Sequence, residues 1–374
     1  MNRSTIFSSR LLGLCVGGTA AAAVLFACTL TQSLDYLQKG DGGVSAPIVE
    51  AGDGPNVEGG GEAGGRTPVW QVTAQTKPDF LALDAQNVYW IADGKVLTVP
   101  KATGGMPKLL GTVPPNASAL AVDADPAGFA FVSVGTSVLR VAKDGSSATA
   151  SVTVFNPGGG ATNADTIGAD QSSLFVLQYD PNGAGVDARI LRMAKDGGAP
   201  TDISGDGGAT TMTLDPTDLF WLSADPNKSA FIEHAKTAPA DTDVAVLTLG
   251  ANDNLPTLST EIAVDATNIY WLTIDAASTN AIIVSRKRQP TASAVTIYLG
   301  TPDDTLENIA LDDTFVYALD THGARLFRVA KTGGAPENLL TGLQQPTSLA
   351  VDDSGIYVAV AALGTNGQIT KIAR

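Results

Sequence analysis

The chain alternates short apolar runs with polar turns, and one arrangement recurs along it. An apolar triplet ends in Asp, a few turn residues follow, and a second apolar run begins. The pattern reads LALDAQNVYW at 81–90, LAVDADPAGFAF at 120–131, IGADQSSLFV at 167–176 and MTLDPTDLFW at 212–221. It continues as IAVDATNIYW at 262–271, IALDDTFVYA at 309–318 and LAVDDSGIYV at 349–358. The anchor acids Asp84, Asp123, Asp170, Asp215, Asp265, Asp312 and Asp352 are separated by 39, 47, 45, 50, 47 and 40 residues. Asp suits such a turn because its carboxylate accepts a hydrogen bond from a backbone N–H two residues on. The second run is apolar at consecutive positions, as expected of a strand buried on both faces.

A third strand and a hairpin turn follow in most units, as in VLTVPKATGGMP (96–107), VLRVAKDGSS (138–147), ILRMAKDGGAP (190–200) and LFRVAKTGGAP (326–336). Gly supplies the positive φ these turns need. A fourth strand comes next, as in NLLTGL (338–343); units four and five keep the strands but lack the double Gly. A period near 45 residues with four strands per repeat predicts an all-β fold, a β-propeller of seven four-stranded blades. The last unit stops after three strands. Because VWQVTAQTKPDFLALD (69–84) lines up with NLLTGLQQPTSLAVD (338–352), an N-terminal strand at 68–74 is expected to close the ring and protect its sheet edges. At NVYWIAD (87–93), LFWLSAD (219–225) and NIYWLTID (268–275) the chain resembles the YWTD and NHL class of propellers. That resemblance covers everything after residue 66. It implies an architecture and not an activity, since propellers of this class host receptors, scaffolds and enzymes alike.

The N-terminus reads as an address. Residues 1–10 carry Arg3 and Arg10 and no acid, and LLGLCVGGTAAAAVLFA (11–27) is uncharged and apolar. A basic start, a medium apolar run and small residues at its end describe a secretory signal peptide. Leu25-Phe26-Ala27-Cys28 resembles the bacterial lipobox, which implies cleavage before Cys28, its acylation, and a membrane anchor. Thr29 after the lipid Cys implies release to the outer membrane. Residues 29–66 are rich in Gly and acids and have no hydrophobic period, so a disordered tether is expected. A Gly-rich coil of that length spans roughly 30–40 Å. The organisation expected is therefore a signal peptide at 1–27, a tether at 28–66 and a propeller at 67–374.

Composition removes several functions. The net charge is −15, and it becomes −17 once Arg3 and Arg10 leave, which disfavours nucleic acid and anionic membrane surfaces as direct partners. Cys15 departs with the signal peptide and Cys28 takes lipid, so no thiol or disulfide remains. Two His and two Cys are too few for a zinc cluster or a Cys–His nucleophile pair. No Gly-x-Ser-x-Gly elbow occurs. The Gly runs at 156–161 and 205–209 lack the Lys and the helix of a phosphate loop.

The remaining candidates have modest expectations. Equivalent Asp on seven blades lie too far apart to share one ion, whose oxygen ligands sit within about 2.3–2.6 Å of calcium. The segments beginning at Asp180, Ala224, Asp241 and Pro302 bring oxygen ligands together and are the places calcium would go, although none matches an EF-hand loop. No resident cofactor is expected. His234 and His322 read as surface turn residues, and Arg286-Lys287-Arg288 as a solvated strand end. Lys101, Lys143, Lys195 and Lys331 read as hairpin-tip residues that keep the rim soluble, and Trp70, Trp90, Trp221 and Trp271 as core. The function expected is non-enzymatic: a monomeric, lipid-anchored platform for a protein or glycan partner at the cell envelope. The alternative is a divalent-metal-dependent lactonase- or lyase-like propeller.

Overall fold

The computed structural model describes residues 65–74, 77–146, 152–155, 163–179, 188–204, 209–223, 230–237, 244–248, 261–274, 280–288, 292–361 and 367–374. Strands β1–β28 form seven antiparallel four-stranded sheets, and no helix occurs among these residues. After β1 (Pro68–Ala74), six blades of four consecutive strands begin with β2 (Asp79–Leu83), β6 (Ala117–Val122), β10 (Asn163–Ala169), β14 (Ala209–Leu214), β18 (Ile262–Val264) and β22 (Leu306–Leu311). Blade 7 combines β26 (Pro346–Asp352), β27 (Gly355–Val360) and β28 (Gly367–Ile372) with β1, which pairs with β28 as its outermost strand. The first strands touch one another in order, and β26 returns to β2, so the sheets close into a ring around an axis. The expected seven-bladed propeller and its N-terminal closing strand are both present. The leader, most of the expected tether and Cys28 lie outside the described residues.

The consecutive apolar residues of each second strand have a simple cause. Side chains alternate between the two faces of a strand. Val88 and Trp90 face blade 7, packing with Tyr357 and Ile369, while Tyr89 and Ile91 face blade 2, packing with Ala130 and Val141. The same division holds in blade 5, where Ile269 and Trp271 join Phe220 and Phe231, and Tyr270 and Leu272 join Val316 and Phe327. The core is thus seven interfaces between neighbouring blades, with no single centre. Trp90, Trp221 and Trp271 are fully buried in them; Trp70, on β1, is half-buried against Tyr357 with ring centroids 6.0 Å apart.

Candidate functional site

The seven anchor Asp mark one end of the propeller, where first strands turn into second strands. In six blades Oδ1 accepts the N–H two residues on, at 2.7–2.8 Å. In five of these it also accepts the next N–H. Those bonds hold the turn, as the sequence led us to expect. Blade 2 is the exception, because its turn runs over residues 123–128; there Asp125 Oδ1 takes Ala127 N–H, and Asp123 Oδ2 takes Phe129 N–H.

The second carboxylate oxygen has a different partner: a cation from the following blade, located just past that blade's third strand. Lys143 Nζ lies 3.0 Å from Asp84 Oδ2, Lys195 2.9 Å from Asp123, Lys236 4.0 Å from Asp170 and Arg288 3.2 Å from Asp215. Lys331 lies 2.7 Å from Asp265 and Arg374 3.3 Å from Asp312. Lys101 completes the circle by pairing with Asp352 across the join of blades 7 and 1. Seven acids and seven cations therefore alternate around the ring. Several cations also reach the carbonyl of their own blade's anchor, Lys143 to Asp123 and Lys236 to Asp215 both at 2.5 Å. Aromatic rings of the preceding blade line these contacts: Lys143 sits over Tyr89, Arg288 over Phe220 and Lys331 over Tyr270.

This arrangement overturns two expectations. Lys101 and Lys143 are buried, and Lys195 and Lys331 are largely covered; all four hold blades together and do not solubilise a rim. Nor are Arg286 and Arg288, of the basic run at 286–288, solvated. Arg286 is buried, and Arg288 spans Asp215 and Glu233, the latter at 2.5 Å. An outer tier adds to the ring. Third-strand residues reach the next blade's turn, Arg192 to the carbonyl of Lys236 at 2.5 Å and Lys371 to the carbonyl of Lys101 at 2.9 Å.

At the mouth of this end, beside blades 5–7, lies a depression of about 240 Å³ lined by Val264, Asp265, Leu311, Asp312, Asp313, Lys331, Asp352, Asp353 and Arg374. Burial opposes ionisation of Asp84, Asp265, Asp312 and Asp352. Hydrogen bonds from the turn N–H groups, from Tyr89, Tyr270 and Tyr317, and from the cations outweigh it, holding all four carboxyls below the usual range. The same burial and the neighbouring carboxylates push the hydroxyls of Tyr317 and Tyr357 up to about 12. A carboxylate locked in its ionised form with a fixed cation is a poor general acid or base near neutrality. Asp265, Asp312 and Asp352 thus supply fixed charge at the mouth, where Asp313 and Asp353 also lie.

The two histidines part company. His322 is exposed on a turn, its Nδ1 2.6 Å from the carbonyl of Asp303, as expected. His234 is 1% exposed, on β16 (Ala230–Ala235) beside Trp221, and is not a surface residue. Of the four acidic segments considered for calcium, Asp180 and those at 224–228 and 241–243 lie outside the described residues. In the fourth, Asp304 already binds Tyr298, Thr301 and Arg325. Among the described residues, no three His, Cys, Asp or Glu side chains are grouped to hold a metal ion.

No protein-family model matches the sequence, and no curated protein matches it. Solved structures share its fold at low identity. Virginiamycin B lyase from Staphylococcus aureus is 12% identical, with a TM-score of 0.57 over 81% of this chain and 98% of that one. The WD40 propeller of Doa1 is 10% identical, with a TM-score of 0.57 over 82% and 97%. A chain of the Saccharomyces cerevisiae Dbp5 assembly with Nup159 is 11% identical, with a TM-score of 0.55 over 83% and 95%. At these identities the likeness is one of fold alone.

Proposed function

We propose that the protein is a bacterial lipoprotein, anchored through Cys28 at the cell envelope, whose propeller binds a protein partner without catalysing a reaction. The observation that carries this reading is the ring itself. Every anchor carboxylate is paired with the cation of the next blade, which makes a rigid body and leaves none of the seven anchor acids without a cation. A second feature agrees. At the ring end the first-to-second turns are two to six residues long and the third-to-fourth connections six to nine, whereas connections at the opposite end range from two residues (93–94) to thirteen (249–261). Loops that differ on a constant scaffold are where binding specificity resides. The Dbp5 assembly with Nup159 offers a precedent for protein binding by a chain of this fold.

Two measurements test the proposal. Mass analysis of the N-terminal peptide from native membranes should show a diacylated or triacylated Cys28, and Cys28→Ser should release the protein from the membrane fraction. An unmodified Cys28 would remove the anchor. Thermal unfolding with calcium and then with excess chelator addresses the metal-dependent alternative. A site saturated at a hundred times its Kd adds about 2.7 kcal/mol. We expect no change in midpoint; a shift of several degrees would favour the lactonase- or lyase-like reading.

A further inference from the structure

The polypeptide joins the propeller at the ring end. β1 runs antiparallel to β28, with Pro68 opposite Ile372 and Ala74 opposite Gly367. The first residue of β1 therefore lies beside the end of the third strand of blade 7, two residues from the ring cation Arg374. Just upstream the backbone is already fixed. The N–H of Arg66 donates to the carbonyl of Leu339 at 2.7 Å, and its guanidinium donates to the carbonyl of Ala373 at 2.8 Å and meets Glu337 at 3.4 Å. Glu337 opens β25 (Glu337–Thr341) opposite Arg328, three residues before the ring cation Lys331, so this contact also lies toward the ring end. Arg66, the last residue of the expected tether, thus staples the incoming chain across blades 6 and 7.

From this geometry we propose that the propeller is held by its ring end, so that this end is turned toward the membrane and the opposite end away from it. The inference rests on the tethered reading above and adds a direction to it. A partner approaching the ring end would compete for space with the chain leaving at Arg66, and would meet acids already neutralised by cations. A partner approaching the other end does not meet that chain, although paired acids occur there too, Arg325 holding both Asp304 and Asp320.

Blade 6 provides two exposed positions for a test. Thr314 lies in its ring-end turn and His322 in the turn at its other end, separated by strand β23 (Phe315–Asp320). Seven residues of extended chain set them roughly 20 Å apart along the axis. The full chain carrying Cys15→Ser is coupled through Cys28 to phosphatidylcholine vesicles containing a maleimide lipid and an acceptor-labelled lipid. A donor dye is placed at position 314 or 322 by an unnatural amino acid. Energy transfer should be higher from 314 than from 322, and the difference should widen when residues 40–60 are deleted. Equal transfer from the two positions in the shortened chain, or more from 322, overturns the polarity. The coupling is chemical, so this outcome is separate from whether the cell acylates Cys28.

Discussion

The ammonium of Lys143 lies 3.0 Å from Oδ2 of Asp84, and the two side chains are 2% and 3% exposed between blades 1 and 2. Tyr89 donates its hydroxyl to the same carboxylate oxygen. Removing one member of a buried pair leaves the other charged and unmatched, at a cost of about 3–5 kcal/mol. Lys143→Met should therefore lower the stability of the protein by about that amount in denaturant titration. Arg374→Met, at a site where the guanidinium is 28% exposed, should cost about 1 kcal/mol or less. Asp84→Asn combined with Lys143→Met should cost less than the sum of the single changes, because the two act on one interaction. Equal losses at positions 143 and 374 would mean that burial does not grade the ring.

A second prediction concerns Gly128, which closes the long turn of blade 2. A Cβ built there would sit 2.1 Å from Asp123 Oδ1. That carboxylate cannot swing away, because Lys143 and Lys195 hold it at 3.3 and 2.9 Å. Gly128→Ala should destabilise by about 1–3 kcal/mol, the usual cost of overpacking. Gly105, unlike Gly128, has a positive φ, and it has open space where its Cβ would go. Gly105→Ala thus separates backbone strain from collision, and it should cost less in the same titration.

How much of this could be read from the chain alone is clearest at the ring. The seven Asp and their turn-bracing role were legible, because an Asx turn is a local event confined to three or four residues. The cations were not, because each pairs with another blade far off in the chain: 59 residues away for Lys143–Asp84, 251 for Lys101–Asp352. A signal was nevertheless present. Each unit carries a Lys or Arg 17–25 residues after its anchor Asp, directly after the third apolar run, and Lys236, Arg288 and Arg374 fill that place in units that lack the common turn. A basic residue kept at the end of a strand buried on both sides is more economically explained by a buried acid than by solubility. His234 was misjudged for a related reason. The irregular turn that follows it hid the fact that it lies within the third strand, opposite Leu219.

The pH dependence follows from the same carboxylates. Asp84, Asp265, Asp312 and Asp352 titrate lower in the folded protein than in the unfolded chain, where Asp has a pKa of about 3.9. Groups with a depressed pKa stabilise the fold above the unfolded value, and that stability is lost as pH falls through the folded values. Asp79, raised by burial, works in the opposite sense and blunts the acid limb slightly. At high pH the tyrosines take over. Tyr298, Tyr317 and Tyr357 are pushed up to about 12 by burial, against about 10 when unfolded. Their contribution is complete below pH 10 and lost as pH rises from about 10 toward 12. Stability measured by denaturant should be flat from about pH 5 to 9 and fall on both sides. A decline centred near neutral pH would mean that groups other than these carboxylates and tyrosines control the fold.

Chemical modification gives a quick check on the two histidines. Diethyl pyrocarbonate should modify exposed His322 rapidly in the native protein, while His234, buried beside Trp221, should react only on unfolding. Peptide mapping after brief treatment distinguishes the two. Comparable labelling of both would show that blade 4 opens readily around its third strand.

The join that closes the ring lies inside blade 7, where β1 meets β28, because β1 continues by chain into blade 1. Its residues alternate sharply in burial. Val72 is 4% exposed and packs with Val88, Trp90 and Ile369 at the interface of blades 7 and 1, while Val69 on the same strand is 55% exposed. Three further contacts gather there: Trp70 Nε1 and Lys371 Nζ both donate to the carbonyl of Lys101 at 2.9 Å, and the ammonium of Lys101 holds Asp352. Val72→Asp buries an unpaired carboxylate within this join and should cost several kcal/mol, since even a neutral polar group buried without a partner costs roughly 1–3 kcal/mol in proteins. Val69→Asp should stay within about 0.5 kcal/mol of the parent. Freed of β1, the edge of β28 offers unpaired backbone groups to another chain, so the Val72 variant should also self-associate in light scattering well below its unfolding midpoint. If it instead remains monomeric and as stable as the Val69 variant, the ring is held by the ion pairs between blades, and β1 contributes little to its closure.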